Sequence, residues 1–335
     1  MTEMVSRPHA ANLVRFAKAH PRVVVLSADL TASCEADDFA REIPDRFFNM
    51  AMAEQNMLSW AGGMAREGFL PHIHTFAVFL TRRPFDQLAM SVAYPNLPVR
   101  LVGFLPGITT PGGVTHQAVD DLALTRVLPN MTVLECGDAT DVETALDAAH
   151  TVPGPVYVRM LRGVVPRLFA ASDPLVVGAS RTLSRGRDLL VLSSGICTEE
   201  ALRAVAVLSA RGLAITHIHV STIKPFADPV LLDALSSVAL GVVTLENHSV
   251  VGGLGSAVAE AMAERGVGRK LVRLGLQDVY AHGASRPYLA ARYGLDAAAV
   301  VTAAETLAGQ RFGIGPEELA SQDVGVRAGS KAEDL

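Results

Sequence analysis

The feature that most constrains this 335-residue chain is an alternation between short, continuously apolar runs and helix-length segments. The runs "RVVVLSADL" (22–30), "LPHIHTF" (70–76), "VRLVGFL" (99–105), "MTVLECG" (131–137) and "PVYVRML" (155–161) show little alternation with polar residues. Strands of that kind are covered on both faces, which is the habit of parallel sheets. Between them, "AEQNMLSWAGGMAREG", "RPFDQLAMSVAY", "HQAVDDLALTRVL" and "DATDVETALDAAH" have the length and period of helices. Parallel neighbours need such crossovers, so the chain is expected to be α/β and doubly wound.

The period lapses in "FAASDPLVVGASRTLSRGRD" (169–188), where Gly, Arg and polar residues gather; we place a linker at 171–187. The pattern then resumes with strands expected at "DLLVLSSG" (188–195), "AITHIHVS" (214–221), "GVVTLEN" (241–247) and "KLVRLGL" (270–276), and with helices in "TEEALRAVAVLSARG", "DPVLLDALSS" and "GLGSAVAEAMAERG". Two doubly wound domains are therefore expected, at 1–170 and 188–312, with a polar, loosely held tail at 313–335. Hydrophobic residues make up 50% and aromatics 5%, so the cores rest on Ala, Val and Leu.

A net charge of -5 gives no basic footprint for nucleic acid. The N-terminal "MTEMVSRPHA" has no apolar signal core, and no run is long enough to span a bilayer. Cys34, Cys136 and Cys197 lack metal-ligand spacing, and no metal site is expected on this chain. A reducing, cytoplasmic setting follows as the expectation.

Ligands of open parallel sheets bind beyond the carboxyl ends of the strands. In "NMAMAEQNMLSWAGG" (49–63), Glu54 shares a helix face with Leu58 and Ala61, at i, i+4 and i+7. The helix macrodipole favours a first-turn Glu by about 0.3–1 kcal/mol, which accounts for an acid on a solvated face but not on an apolar one. There it needs a partner that neutralises its charge or shares a proton with it. In "HTFAVFLTRR" (74–83), Phe76 and Phe79 suit either core packing or a shelf on which a flat heterocycle stacks. In "GITTPGGVTHQAVDD" (107–121), a Gly-rich loop ends at Thr115-His116-Gln117 and is read as opening a helix, which makes His116 a capping group, a donor or a base.

Taken in order, "SADLTAS" (27–33), "NMAMAEQNM", "TFAVF", "GVTHQAVDDLALTRVLPNMTV" and "GPVYVRM" resemble the C-terminal half of a transketolase, most closely the small subunit of the two-gene, split enzymes. "VSTIKPF" (220–226) and "LENHSVVGGLGSAVAEAM" (245–262) resemble that family's C-terminal domain, and the likeness runs from Arg7 to Gly309. It implies a pyrimidine-binding parallel-sheet domain followed by a transketolase C-terminal-like α/β domain, with thiamine diphosphate as cofactor. The residue matching Glu54 hydrogen-bonds a ring nitrogen of the cofactor's aminopyrimidine and so activates it; those matching Phe76 and Phe79 stack on that ring. Asp29, within "SADLTAS", joins this cofactor-binding set. The resemblance gives His116 the orientation of substrate oxygens at the reacting carbon, and gives Arg7, Ser33 and Arg159 the sugar phosphate.

The Gly-Asp-Gly motif that holds the diphosphate through Mg²⁺ is missing; the chain's one Gly-Asp, in "CGDATD" (136–141), continues with Ala139. The resemblance therefore implies a large partner subunit that holds Mg²⁺ and the diphosphate, an α₂β₂ heterotetramer, and inactivity of this chain alone. In "GFLPGITTPGG", Phe104 stands where the family has a phosphate-contacting His, and Pro111 and Gly112 where it has an acidic pair. These departures imply an altered acceptor: less polar, unphosphorylated or carrier-bound. The alternatives are the β subunit of a 2-oxo acid dehydrogenase, built on the same plan, and a non-catalytic scaffold subunit.

Overall fold

The computed structural model describes residues 3–322. The strands are β1 (Met4–Ser6), β2 (Val23–Ser27), β3 (Phe47–Asn49), β4 (Leu70–Phe76), β5 (Arg100–Phe104), β6 (Thr132–Glu135), β7 (Val156–Arg159), β8 (Val164–Pro166), β9 (Arg181–Ser184), β10 (Leu189–Ser193), β11 (Ile215–His219), β12 (Thr222–Lys224), β13 (Gly241–Ser249) and β14 (Leu271–Leu276). Among the described residues they form a seven-stranded sheet of order β12-β6-β7-β5-β4-β2-β3, a five-stranded sheet of order β14-β13-β10-β11-β9, and a ribbon of β1 with β8. Every pairing within β6-β7-β5-β4-β2-β3 and within β14-β13-β10-β11 is parallel. Each of the nine expected apolar runs contains a strand; eight of these strands lie inside their sheets, where a run buried on both faces belongs, and β14, only partly buried, forms an edge of the second sheet.

The second sheet divides its side chains by the period of two: Leu190, Leu192 and Ile218 join the core of the first sheet, while Leu189, Val191 and Ile215 join a second core with Ala204, Leu208, Val300 and Ala304. Helix ends follow local chemistry. Asp138, Asp228 and Asp296 cap the helices Ala139–His150, Pro229–Ser237 and Ala297–Ala308 by accepting backbone N–H groups, and Gly309 closes the last of these in the left-handed region.

Three expectations change. The segment expected to be only a linker, 171–187, carries β9, which pairs antiparallel with β11. The "VSTIKPF" run contributes β12, which crosses to the first sheet and pairs antiparallel with β6, so chain from the second unit completes the first. The tail expected at 313–335 begins with an ordered helix, Pro316–Ala320, held by buried Leu319 and by a two-pronged Arg211–Glu318 pair at 2.9 Å; from 323 onward that tail lies outside the described residues. No helix among the described residues is long and apolar enough to cross a membrane.

Candidate active site

The carboxyl end of β3 supplies the first element. Asn49 Oδ1 accepts the N–H of Ala51 at 3.0 Å, Ala51 takes a left-handed φ of 55°, and the chain turns into the helix Glu54–Arg66. That helix buries Glu54, Met57, Leu58, Ala61 and Ala65 on one face, so the expected apolar face is real and Glu54 on it is 3% exposed. Its partner within the chain is Arg83, whose Nη1 lies 2.6 Å from Glu54 Oε1. Gly62 lets the neighbouring π-helical turn Leu88–Ala93 approach this helix, since a Cβ there would stand 2.4 Å from the Ser91 carbonyl oxygen.

Phe76 ends β4, and Phe79 follows in the helix Ala77–Arg82. Their rings stack with centroids 5.8 Å apart and 28° between planes. His116 meets both edge-on, at 6.2 Å from Phe76 and 5.3 Å from Phe79. The Arg83 guanidinium lies 3.7 Å over the Phe79 ring. Glu54, Arg83, Phe79, His116 and Phe76 thus form one chain of contacts at the rim where β3, β4 and β5 end.

His116 does not open a helix, contrary to expectation. It lies in a turn, and the helix Asp121–Val127 begins five residues later, so the macrodipole does not act on it. Its ring is set instead by a 2.9 Å contact of Nδ1 with Thr115 Oγ1, and its backbone N–H donates to Gly113 O at 2.9 Å. The loop is anchored from the second domain: Asn247 Nδ2 donates to Pro106 O and Asn247 Oδ1 accepts from Ile108 N–H, both at 2.9 Å. Gln117 Nε2 donates to His282 O at 3.3 Å. Gly113 and Gly283 pass so closely that a Cβ on Gly113 would lie 3.2 Å from the Gly283 nitrogen.

Two expected substrate residues are corrected. Arg159 is fully buried, and all five of its N–H donors are engaged: Nε and Nη2 with Asp121 at 2.7 Å each, Nη1 with Glu135 at 2.6 Å and Asn247 O at 3.1 Å, and Nη2 also with Ala118 O at 3.0 Å. It is the centre of a buried ion-pair hub and has no donor left for a phosphate. Burial pushes the Asp121 carboxyl up, but Arg159 with its direct hydrogen bonds, His248 and Tyr157 bring it below the usual range. Phe104 is also fully buried and packs against His9 and His74, at 5.3 and 6.1 Å between ring centroids. Burial holds both imidazoles neutral, that of His74 down to about 4, and their Nε2 atoms share one hydrogen bond of 2.9 Å.

The remaining rim residues are accessible. Arg7 precedes the helix Pro8–Ala19 in a left-handed conformation, donates its N–H to Gly163 O at 2.6 Å and pairs with Asp37. Ser33 is half-buried, and its carbonyl accepts from Arg162 Nη1 at 3.2 Å. Arg162, three residues beyond Arg159, is therefore the arginine that reaches Ser33. Asp29, exposed and left-handed with φ 61°, accepts from Asn49 Nδ2 at 3.1 Å and links the ends of β2 and β3. The sequence reading missed Arg83, Arg162 and Asn247. The "RR" after the Phe pair and the second Arg of "VRMLR" are the signals it could have used.

Asp138 of the lone Gly-Asp is a structural cap: it accepts from the N–H groups of Asp141, Leu168 and Phe169 at 2.7–2.8 Å, and burial lifts its carboxyl to about 6.

Comparison with known proteins fits this arrangement. Residues 9–167 match the transketolase pyrimidine binding domain family, and residues 178–300 match the transketolase C-terminal domain family. The chain is 39% identical over 296 residues to the transketolase family protein y4mN of Sinorhizobium fredii, covering 88% of this chain and 86% of that one. It is 38% identical to the 6-deoxy-6-sulfo-D-fructose transketolase subunit SqwH of a Clostridium species, covering 87% and 90%. Its backbone superposes with a TM-score of 0.81 and 38% identity on a split gene transketolase described as an inactive beta4 tetramer, covering 91% of this chain and 97% of that chain. The chain belongs to the transketolase family, with the domain pair of a split-type subunit.

Proposed function

We propose that this chain is the small subunit of a two-component transketolase that moves a two-carbon ketol unit with thiamine diphosphate. The observation that carries the reading is a carboxylate buried to 3% exposure at the sheet's carboxyl rim, linked through Arg83 to the stacked Phe76–Phe79 pair. One acid beside two stacked rings fits a flat heterocycle with a ring nitrogen: the rings take its face and the acid its edge. When bound, thiamine diphosphate supplies the electron sink that makes cleavage of the ketose carbon–carbon bond feasible. Glu54 holds the proton at the pyrimidine nitrogen, Phe76 and Phe79 exclude water from the ring, and His116 donates to the substrate oxygen at the reacting carbon. Asp29, fixed by Asn49, borders the same seat.

Arg7, Ser33 and Arg162 form the cationic rim for an anionic substrate end, because guanidinium forks suit phosphate or sulfonate oxygens. Pro111 and Gly112 do not supply the acids of the usual loop, which supports an altered acceptor. The matched 6-deoxy-6-sulfo-D-fructose transketolase subunit is in keeping with a site of this type serving an unusual sugar. Since Asp138 is consumed as a helix cap, we assign Mg²⁺ and the diphosphate to a large partner subunit, in an α₂β₂ assembly. The inactive beta4 tetramer of the matched split enzyme is consistent with a chain that associates with itself but needs its partner to act. Three buried free thiols suit the cytoplasm. The transketolase matches favour this reading over a dehydrogenase subunit.

The test is Glu54→Gln in the reconstituted two-subunit enzyme with cofactor at saturation. Turnover should fall by about 10²–10⁴-fold, the range for a lost acid–base group. A loss of less than about threefold would return the chain to the scaffold reading.

A further inference from the structure

Glu54 and Phe79 already share one ligand from within the chain. Arg83 Nη1 lies 2.6 Å from Glu54 Oε1, and the same guanidinium sits 3.7 Å over the Phe79 ring. A guanidinium is flat and delocalised, with N–H donors along its edge. It thus offers the ring a face and the carboxylate a donor, the two things an aminopyrimidine offers. A contact of 3.7 Å is a van der Waals stack, so the face of Phe79 under Arg83 has no space for a second plane. Phe76 and His116 hold other approaches to the same ring.

The occupant is free to leave. The Arg83 side chain is 44% exposed against 3% for Glu54, so the head can swing into water while the acid stays in place. Its backbone closes the helix Ala77–Arg82 directly before Pro84, which fixes the pivot and leaves the side chain mobile. The arrangement also meets a physical need: a carboxylate this buried is costly without a cation or a proton donor.

Resting on the assignment of Glu54 and Phe79 to the pyrimidine, we propose that Arg83 holds the aminopyrimidine seat in the free subunit and is displaced when the cofactor binds. Arg83 thereby keeps Glu54 paired until the cofactor arrives, and sets a threshold that weaker flat ligands do not pass. Cofactor affinity measured on this chain is net of the ion pair and the cation–π contact that must be broken.

The test uses the full chain alone, titrated calorimetrically with 4-amino-2,5-dimethylpyrimidine, and the two-subunit assembly titrated with thiamine diphosphate. Arg83→Ala and Arg83→Gln should bind the pyrimidine about tenfold more tightly than the wild type, the combined scale of one partly exposed ion pair and one cation–π contact. Adding Glu54→Ala to Arg83→Ala should abolish that gain. Equal or weaker binding by both Arg83 variants, or no binding by any form, overturns the role of Arg83. In the assembly, Glu54→Ala should weaken thiamine diphosphate binding. If it does, and the Arg83 variants gain nothing, only the seat-holder is lost; if it does not, the pyrimidine assignment itself fails.

Discussion

Arg159 offers the sharpest test of how the buried hub works. Replacing it with Leu keeps apolar volume but strands Asp121 and Glu135, which are 0% and 2% exposed, and leaves the carbonyls of Ala118 and Asn247 without their donor. Removing one partner of a buried ion pair costs about 3–5 kcal/mol, and two stranded acids put this case toward the upper end. At about 2–4 °C per kcal/mol for a domain of this size, the melting temperature should fall by about 10 °C or more. The loss should depend on pH with a definite sign. Asp121 is held below its usual range in the native protein, so its contribution is present at neutral pH and disappears as pH falls through the native value. In the wild type that loss lies below pH 5; in Arg159→Leu, burial without the guanidinium raises the Asp121 carboxyl, which takes up a proton as pH falls, so the penalty should be larger at pH 7.5 than at pH 5, as read by thermal melts at both values. Arg162→Ala should instead raise KM for an anionic substrate, because that side chain reaches Ser33. An Arg159→Leu variant with wild-type melting and a raised KM would refute the hub and restore Arg159 to the substrate.

Other perturbations probe separate parts of the molecule. Gly283→Ala places a methyl 2.8 Å from Pro111 O and pushes on the loop that carries His116; kcat of the assembly should fall by roughly 10–100-fold while cofactor affinity holds. Burial lifts the Glu246 carboxyl to about 8 despite N–H groups donated by Gly255 and Leu254, so the native state carries a proton that the unfolded chain has lost. That stability is full below the unfolded carboxylate value and fades as pH rises to about 8; Glu246→Gln lacks the slope and should gain on the wild type by up to about 1.4 kcal/mol per pH unit across this window in denaturant melts. Phe104→His puts a polar ring against His9 and His74 in the interior; it should cost about 1–3 kcal/mol in denaturant melts, with no tightening of sugar phosphate binding.

Much of the architecture was legible because it is written in period and burial. A strand such as β4 announces itself by seven residues that are almost all buried, and the helix Glu54–Arg66 by an apolar face that includes an acid. Strands β1, β3, β8, β9 and β12 are three or four residues long, too short to express a period, and exist because a neighbour offers unpaired backbone. The helix expected from His116 starts at Asp121 because the preceding residues are held by Asn247, by the Gln117–His282 hydrogen bond and by the Gly113–Gly283 approach, contacts between residues more than 130 positions apart.

The sequence by itself determined the two doubly wound units, the face on which Glu54 lies, and the family, since these depend on local pattern and on motifs in order. The tertiary structure alone decided which arginine does what. Arg83, Arg159 and Arg162 are alike in sequence, but one lies over Phe79 beside Glu54, one is sealed among Asp121 and Glu135, and one reaches Ser33. A guanidinium takes its role from the charges and solvent around it, and folding brings those together from 24 to 129 positions away.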